Sequence, residues 1–422
     1  MQNDRWLYAL TLSAIAAGVT GVLVPLYLVR LGAGAAVLGL AAALSSIVGA
    51  PAAILAGRYA DRSDTPRDIV LAGLTLAALA AVLFPVFGTV PGVVALNAVL
   101  AIALAAVGPV VTMFVVSGVP DAAWDARIAR LNTYQGFGGI GGLVLGTVWT
   151  GLLTPVTSTG TAYRSLFVVA ALIAVAAILI AARSLPSRPE DGRDPIGLHL
   201  RRDATFLPGT ARAYWLARGF GRRGLGQLLR SFPGSLHRYF AAGALFFLGF
   251  GAFWAPLPLY LTERGFDAST IFALYVLNNA TSTLSFTAVG RLSLTHDTHR
   301  LQGGALGVRG IAFMGVGILA VAGVGPGPSL TSLPVVATLL AVIGLTWAVI
   351  AVTGTAIVSR RAPGGTRGAI LGGYTALSAL GGRAGSLLGG WVASQSFGLA
   401  FAMAGTLVIA GGLIVYRMAA PS

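Results

Sequence analysis

About twelve separate runs of roughly 20 predominantly apolar residues dominate the chain, and that length is what an α-helix needs to cross the hydrocarbon core of a bilayer. They lie near Trp6–Leu28, Ala35–Ala56, Ile69–Gly88, Val93–Val116, Leu131–Leu153, Ser165–Ala182, Tyr239–Leu261, Ser269–Val289, Gly303–Gly323, Pro334–Val358, Ala369–Ala393 and Gly398–Tyr416. Inside lipid each backbone polar group must be satisfied within its own segment, so such runs read as spanning helices. Composition agrees: 56% of the 422 residues are hydrophobic and 10% charged, whereas soluble domains carry about 25% charged residues. The expected fold class is an all-α membrane protein. The start, "MQNDRWLYALTL", passes from a short polar stretch into span 1 without a small-residue cleavage site, so span 1 is expected to stay in the membrane.

The same composition narrows the chemistry. The chain has no cysteine, which removes disulfides, thiolate metal sites and cysteine nucleophiles. His199, His237, His296 and His299 all sit in polar connections without the spacing of a ligand cluster, so neither a metal nor a cofactor is expected. Nothing points to an enzyme. A net charge of +15 raises the question of a nucleic-acid partner, but that reading needs the basic residues clustered on a soluble surface. Here all 28 basic residues are arginines, and most flank spans on one side.

That bias sets an expected orientation, because arginine is retained in cytoplasmic loops. Connections 2–3 (Arg58, Arg62, Arg67), 4–5 (Arg127, Arg130), 8–9 (Arg291, Arg300) and 10–11 (Arg360, Arg361, Arg367) hold most of the short-loop arginines, while the other side has only Arg30, Arg164 and Arg264. The expectation is a multi-pass monomer of the cell membrane with both termini in the cytoplasm. A polar, arginine-rich segment over residues 183–237 separates a six-span half, 1–182, from a second, 238–422. Within it "ARAYWLARGFGRRGLGQLLRSF" mixes aromatic residues with arginines. It reads either as an interfacial helix on anionic lipid or as a solvated linker, since its glycines weaken a helix.

The two halves repeat. Pro25 and Pro258, Tyr27 and Tyr260, and Gly57 and Gly290 all stand at one common offset, while Arg127/Arg367, Tyr134/Tyr374 and Gly142/Gly382 share a second, slightly longer one. Parallel six-span repeats are an architecture of secondary transporters. Between spans 2 and 3 the chain reads "GRYADRSDTPR". This resembles the G-x-L-A-D-R-x-G-R-[RK] motif of the major facilitator superfamily, with Gly57, Ala60, Asp61 and Arg62 matching and Arg67 supplying the last basic residue. The resemblance implies twelve transmembrane helices in two pseudo-symmetric six-helix halves. It also implies a conformational switch at Gly57, Asp61, Arg62 and Arg67 that holds the cytoplasmic ends of the halves together in the outward-open state. Chemically, Gly57 lets the chain leave span 2 tightly, and Asp61 can accept hydrogen bonds from a helix N-terminus or an arginine.

All thirteen acidic residues fall outside the predicted spans, so a buried-carboxylate proton switch is not available. Coupling would fall to a rim carboxylate such as Asp61 or Glu263, or to a proton carried by the substrate, or be absent. Two arginines enter the spans. Arg309, placed a few residues into span 9, is expected to snorkel to the headgroups. Arg383, about 14 residues into span 11, lies roughly 21 Å deep and should face a cavity or a partner: helix-end carbonyls, Glu263, or an anionic substrate. Asn278, Ser282 and Ser285 share one face of span 8, with Asn279 beside them. They could line the same site or join helices. Asn97, Gln135, Trp254 and Trp347 complete the candidates for substrate or coupling. Gly138, Gly142 and Gly146 at four-residue spacing predict a close helix approach in span 5.

The resulting expectation is a secondary transporter, a permease moving a small organic solute by alternating access. The apolar, aromatic wall favours efflux of an amphipathic or anionic compound. The alternatives are a nutrient importer for sugars or organic anions, and a transport-inactive membrane sensor or scaffold.

Overall fold

The computed structural model describes residues 5–60, 62–118, 124–187, 234–321, 332–361 and 367–419. Among these residues there are thirteen α-helices: α1 (Trp6–Arg30), α2 (Ala35–Ala60), α3 (Pro66–Leu83), α4 (Val90–Val116), α5 (Trp124–Leu153), α6 (Thr159–Ser184), α7 (Gly234–Trp254), α8 (Leu257–Glu263), α9 (Ala268–Thr295), α10 (Thr298–Val321), α11 (Ser332–Arg361), α12 (Arg367–Ala393) and α13 (Phe397–Tyr416). Counting α7 and α8 together, ten helical segments are long and apolar enough to cross a membrane. The remaining two, α9 and α12, are 28 and 27 residues long. Their length suffices for a crossing, and their Asn, Ser, Thr, Gly and Arg content lowers their hydropathy.

Two departures from the sequence expectation matter for the site. Span 7 reads as one run in the sequence, yet it breaks between Trp254 and Leu257. Pro256 has no N–H to donate and its ring crowds the carbonyl one turn earlier. Pro25 in α1 is carried inside a continuous helix. At the offset that pairs Pro25 with Pro258, Pro256 falls on Leu23, so the first half has one proline where the second has two. Span 9 begins at Thr298, ahead of the expected Gly303. The Asp297 carboxylate accepts hydrogen bonds from the backbone N–H of His299 at 2.9 Å and of Arg300 at 2.8 Å, capping the helix before its apolar stretch begins. Asp267 caps α9 in the same way through the Thr270 N–H at 3.1 Å.

The chain falls into two compact units, Met1–Gly32 with Leu44–Gly219, and Ala33–Ala43 with Phe220–Ser422. In the first, α1 packs against α5 and α6, and α3 against α4 and α6. The predicted close approach in span 5 is present: a β-carbon at Gly138 or Gly142 would fall on the carbonyl oxygens of Thr11 or Ile15. In the second unit α7 packs on α12 and α13, α9 on α11, and α10 on α13. Gly251 and Gly385 bring α7 and α12 together, since a β-carbon on either would meet the carbonyl of Gly382 or Leu248. Three glycine pairs, Gly303/Gly412, Gly310/Gly405 and Gly317/Gly398, let α10 and α13 approach closely, each glycine meeting both the facing carbonyl and a side chain, which is how membrane helices gain dispersion contact without a hydrophobic drive.

The sequence repeat has a packing counterpart. Tyr27 meets Phe167 edge-on with ring centroids 5.5 Å apart, and Tyr260 meets Phe401 edge-on at 5.3 Å.

Candidate functional site

In the second unit an aromatic row runs along α7 from Tyr239 to Phe253. Phe247 lies 5.6 Å from Tyr374 of α12 and 5.7 Å from Phe250. Phe250 lies 6.2 Å from Trp347 of α11 and 6.3 Å from Phe313 of α10, and Phe253 stacks on Phe313 at 3.9 Å. Residues three or four apart on one helix share a face, and Phe246, Phe250 and Phe253, with Phe247 beside them, turn that face into a wall of rings.

Arg309 sits inside this wall. It is 2% exposed, so the expectation that it snorkels to the headgroups does not hold. The reason is the early start of α10: Arg309 lies near the midpoint of the 24-residue helix, roughly 16 Å from its first residue. Its guanidinium carbon is 4.5 Å from the centre of the Phe250 ring and 5.6 Å from those of Phe313 and Trp347. Nε and Nη1 are buried and have no hydrogen-bond partner. An arginine at the bilayer centre costs at least about 2.5–3.5 kcal/mol on insertion scales. Ring contacts in a dry site return about 2 kcal/mol or more, but they act on the face of the ion and leave its in-plane N–H groups unpaired, at about 1–3 kcal/mol for each such group.

Arg383, on α12 beyond its midpoint, is half-buried, and its Nε is likewise buried without a partner. Asn278 is engaged elsewhere: its Nδ2 donates to the Leu340 carbonyl of α11 at 3.0 Å. A β-carbon at Gly344 would fall on the Asn278 carbonyl, so α9 and α11 are in backbone contact at this level. Asn279 is exposed and donates to the Tyr275 carbonyl of its own helix at 2.9 Å. Ser282 is 7% exposed on α9, and Ser285 donates to the Thr281 carbonyl at 2.7 Å. Trp254 lies half-buried between Phe253 at 5.5 Å and Tyr275 at 5.5 Å. In the first unit Asn97 donates to Ser45 Oγ at 2.8 Å, while Gln135 is half-buried on α5. The structure thus gathers Trp347 around Arg309 and ties Asn278 to the α9–α11 contact.

One buried polar group has no counterpart in the sequence reading. Tyr239 and Gln302 are fully buried and exchange hydrogen bonds at 2.9–3.0 Å, with the Tyr374 hydroxyl as a further partner of Tyr239. The polar start of α10, once capped at Asp297, is the signal that places Gln302 inside a helix.

At the connection between spans 2 and 3, Gly57 is buried and Arg62 exposed. The Arg67 guanidinium donates to the Ala182 carbonyl at the end of α6 and to Ser187 Oγ at 3.4 Å, where a cation complements the exposed carbonyls and dipole of a helix C-terminus. Asp61 lies outside the described residues, as does most of the segment between α6 and α7.

The family model described as Major Facilitator Superfamily matches residues 7–382. The chain belongs to the major facilitator superfamily. It is a multi-pass membrane protein with the twelve-helix fold of that superfamily and belongs among its transporters. No curated protein matches it in sequence. Solved structures share the fold at low identity: the human organic anion transporter MFSD10 (TETRAN), 18% identical with a TM-score of 0.56 and 98% of both chains covered; the nucleoside transporter NupG, 13% identical with a TM-score of 0.71 and 98% of both covered; and a bacterial homologue of the human lysosomal transporter Spinster, 16% identical with a TM-score of 0.68, covering 98% of this chain and 94% of the other. In this chain's second half, Nε and Nη1 of Arg309 and Nε of Arg383 are buried without a hydrogen-bond partner.

Proposed function

We propose that this superfamily member exports small amphipathic organic anions across the cell membrane by alternating access, with Arg383 contacting the anionic group. The observation that carries the reading is the half-buried Arg383, whose buried Nε lacks a partner in a chain with no acidic residue in the interior of a span. A permanent cation kept there at an insertion cost is an electrostatic attractor for a negatively charged solute. The apolar and aromatic surroundings suit a solute body that does not need many hydrogen bonds. The similarity to the organic anion transporter MFSD10 is compatible with this reading, and that to the nucleoside transporter NupG shows that the fold serves other solutes. Arginine bias along the loops supports cytoplasmic termini, and a monomer suffices for the mechanism.

The test uses the purified chain in proteoliposomes. Saturable counterflow of an aryl carboxylate, absent for its uncharged amide and lost in Arg383→Gln at unchanged expression, supports an anion carrier. Counterflow of neutral sugars instead, insensitive to that substitution, supports nutrient import and defeats the anion reading. Deleting Arg201 to Arg230 addresses the scaffold alternative: a carrier keeps flux without the segment, whereas a scaffold loses its activity.

A further inference from the structure

We infer that the Arg309 cage is itself a binding subsite, one that holds the carboxylate or sulfonate of an amphipathic aryl anion. This rests on the anion-carrier reading above and adds to it a site that Arg383 does not supply.

Three observations carry it. The first is the unpaired state of the ion: Arg309 is 2% exposed, and its Nε and Nη1 are buried without a hydrogen-bond partner. Such in-plane N–H groups match a planar oxyanion. The second is the division of labour around the guanidinium. Phe250, Phe313 and Trp347 lie 4.5–5.6 Å from its carbon, so the rings supply stacking and exclude water while making no claim on the N–H groups. A structural arginine in a membrane helix normally finds an acid or backbone carbonyls, whereas Nε and Nη1 of this one are buried without a hydrogen-bond partner beside three rings. The third is access. Of the three rings beside the guanidinium, Trp347 is 40% exposed, while Phe250 at 7% and Phe313 at 0% are buried. A ligand entering past Trp347 would lay its aromatic body on the indole and carry its anionic end to the guanidinium edge.

The chemistry selects the ligand class. A strongly hydrated inorganic anion would lose its water shell to gain few N–H contacts. An aryl carboxylate or sulfonate loses less, because its body gains apolar contact with the indole as its head is desolvated. A cation is repelled, and a neutral amide of the same shape gains stacking without the ionic contact.

The test is equilibrium binding of radiolabelled 2-naphthoate, with 2-naphthamide as the uncharged isostere, to the full chain in lipid nanodiscs. The expected result is saturable 2-naphthoate binding at least tenfold tighter than that of the amide, lost in Arg309→Met, weakened in Arg309→Lys and unchanged in Arg300→Gln, which removes an exposed charge from the same helix. Wild-type affinity in a monodisperse Arg309→Met protein, or no preference for naphthoate over naphthamide in the wild type, overturns the subsite. If Arg309→Met is not recovered folded, Trp347→Leu decides: several-fold weaker naphthoate binding supports the site and unchanged binding overturns it. Binding that depends on Arg309 without any counterflow would defeat the carrier reading alone. Saturable anion counterflow that survives Arg309→Met would defeat the subsite alone.

Discussion

At the repeat offset that pairs Pro25 with Pro258, Phe250, Arg309 and Phe313 of the second half fall on Ala17, Leu76 and Ala80 of the first. The helical frame is shared: each half joins a proline- and tyrosine-bearing first span to its last span through an edge-on Tyr–Phe pair, and each brings spans together at glycine–carbonyl contacts. The cage is shared at one ring only, since Trp347 falls on Phe114. Where the second half has an arginine and two rings, the first has two alanines and a leucine that is 36% exposed. The comparison separates what the fold requires, which appears twice, from what it does not, which appears once. A charge present in one half only, at an insertion cost, is better explained by its chemistry than by packing.

The largest expected effect tests that separation directly. Leu76→Arg puts the same ion at the matching position of α3, where alanines stand at the counterparts of Phe250 and Phe313, and should cost about 2.5–3.5 kcal/mol at the helix centre. The amount of inserted, monodisperse protein should fall sharply. Arg309→Leu should leave that yield unchanged or higher, and a comparable loss from both substitutions would refute the idea that the cage is dispensable for folding. Next in size, Gly142→Val and Gly385→Val each drive a branched side chain into a facing carbonyl. Both should lose about 1–3 kcal/mol, read as a lowered midpoint of thermal unfolding in detergent. Losses of similar size in the two halves would confirm that these contacts belong to the common frame, whereas loss in one half alone would break the parallel. Smallest is Gln302→Leu, which exchanges the buried amide for an apolar group like Ile69, its counterpart at the same repeat offset. About 1 kcal/mol is expected, because Tyr239 loses both hydrogen bonds to Gln302 but retains Tyr374. No change in the unfolding midpoint would mean that the Tyr239–Gln302 pair is not needed for stability.

Spans, repeat and superfamily are legible in the sequence because they rest on local patterns: apolar run length, ungapped Pro, Tyr and Gly markers, and a short loop motif. The close approach at Gly138 and Gly142 is also readable from spacing alone. Arg309 is misplaced by the sequence for a definable reason. Hydropathy starts span 9 at Gly303, because His299, Arg300 and Gln302 are polar, whereas the helix starts where Asp297 caps it. That difference of more than one turn makes a headgroup arginine into an interior one. The cage itself draws Phe250, Phe313 and Trp347 from three helices far apart in sequence, and no spacing rule within one helix could assemble them. For Asn278 the shared polar face is visible, but its partner, the Leu340 carbonyl, is a backbone group and leaves no mark in the sequence.

The three glycine rungs between α10 and α13 have a mechanical consequence. At each rung a glycine faces both a glycine carbonyl and a side chain of the other helix at close range, so α10 has little room to roll or slide against α13. Arg309 immediately precedes Gly310, the middle rung, and its heading is therefore tied to that close-packed seam. A cation mounted this way behaves like a stud set in a rigid plate: it keeps its aim under load and shifts only as far as the plate does.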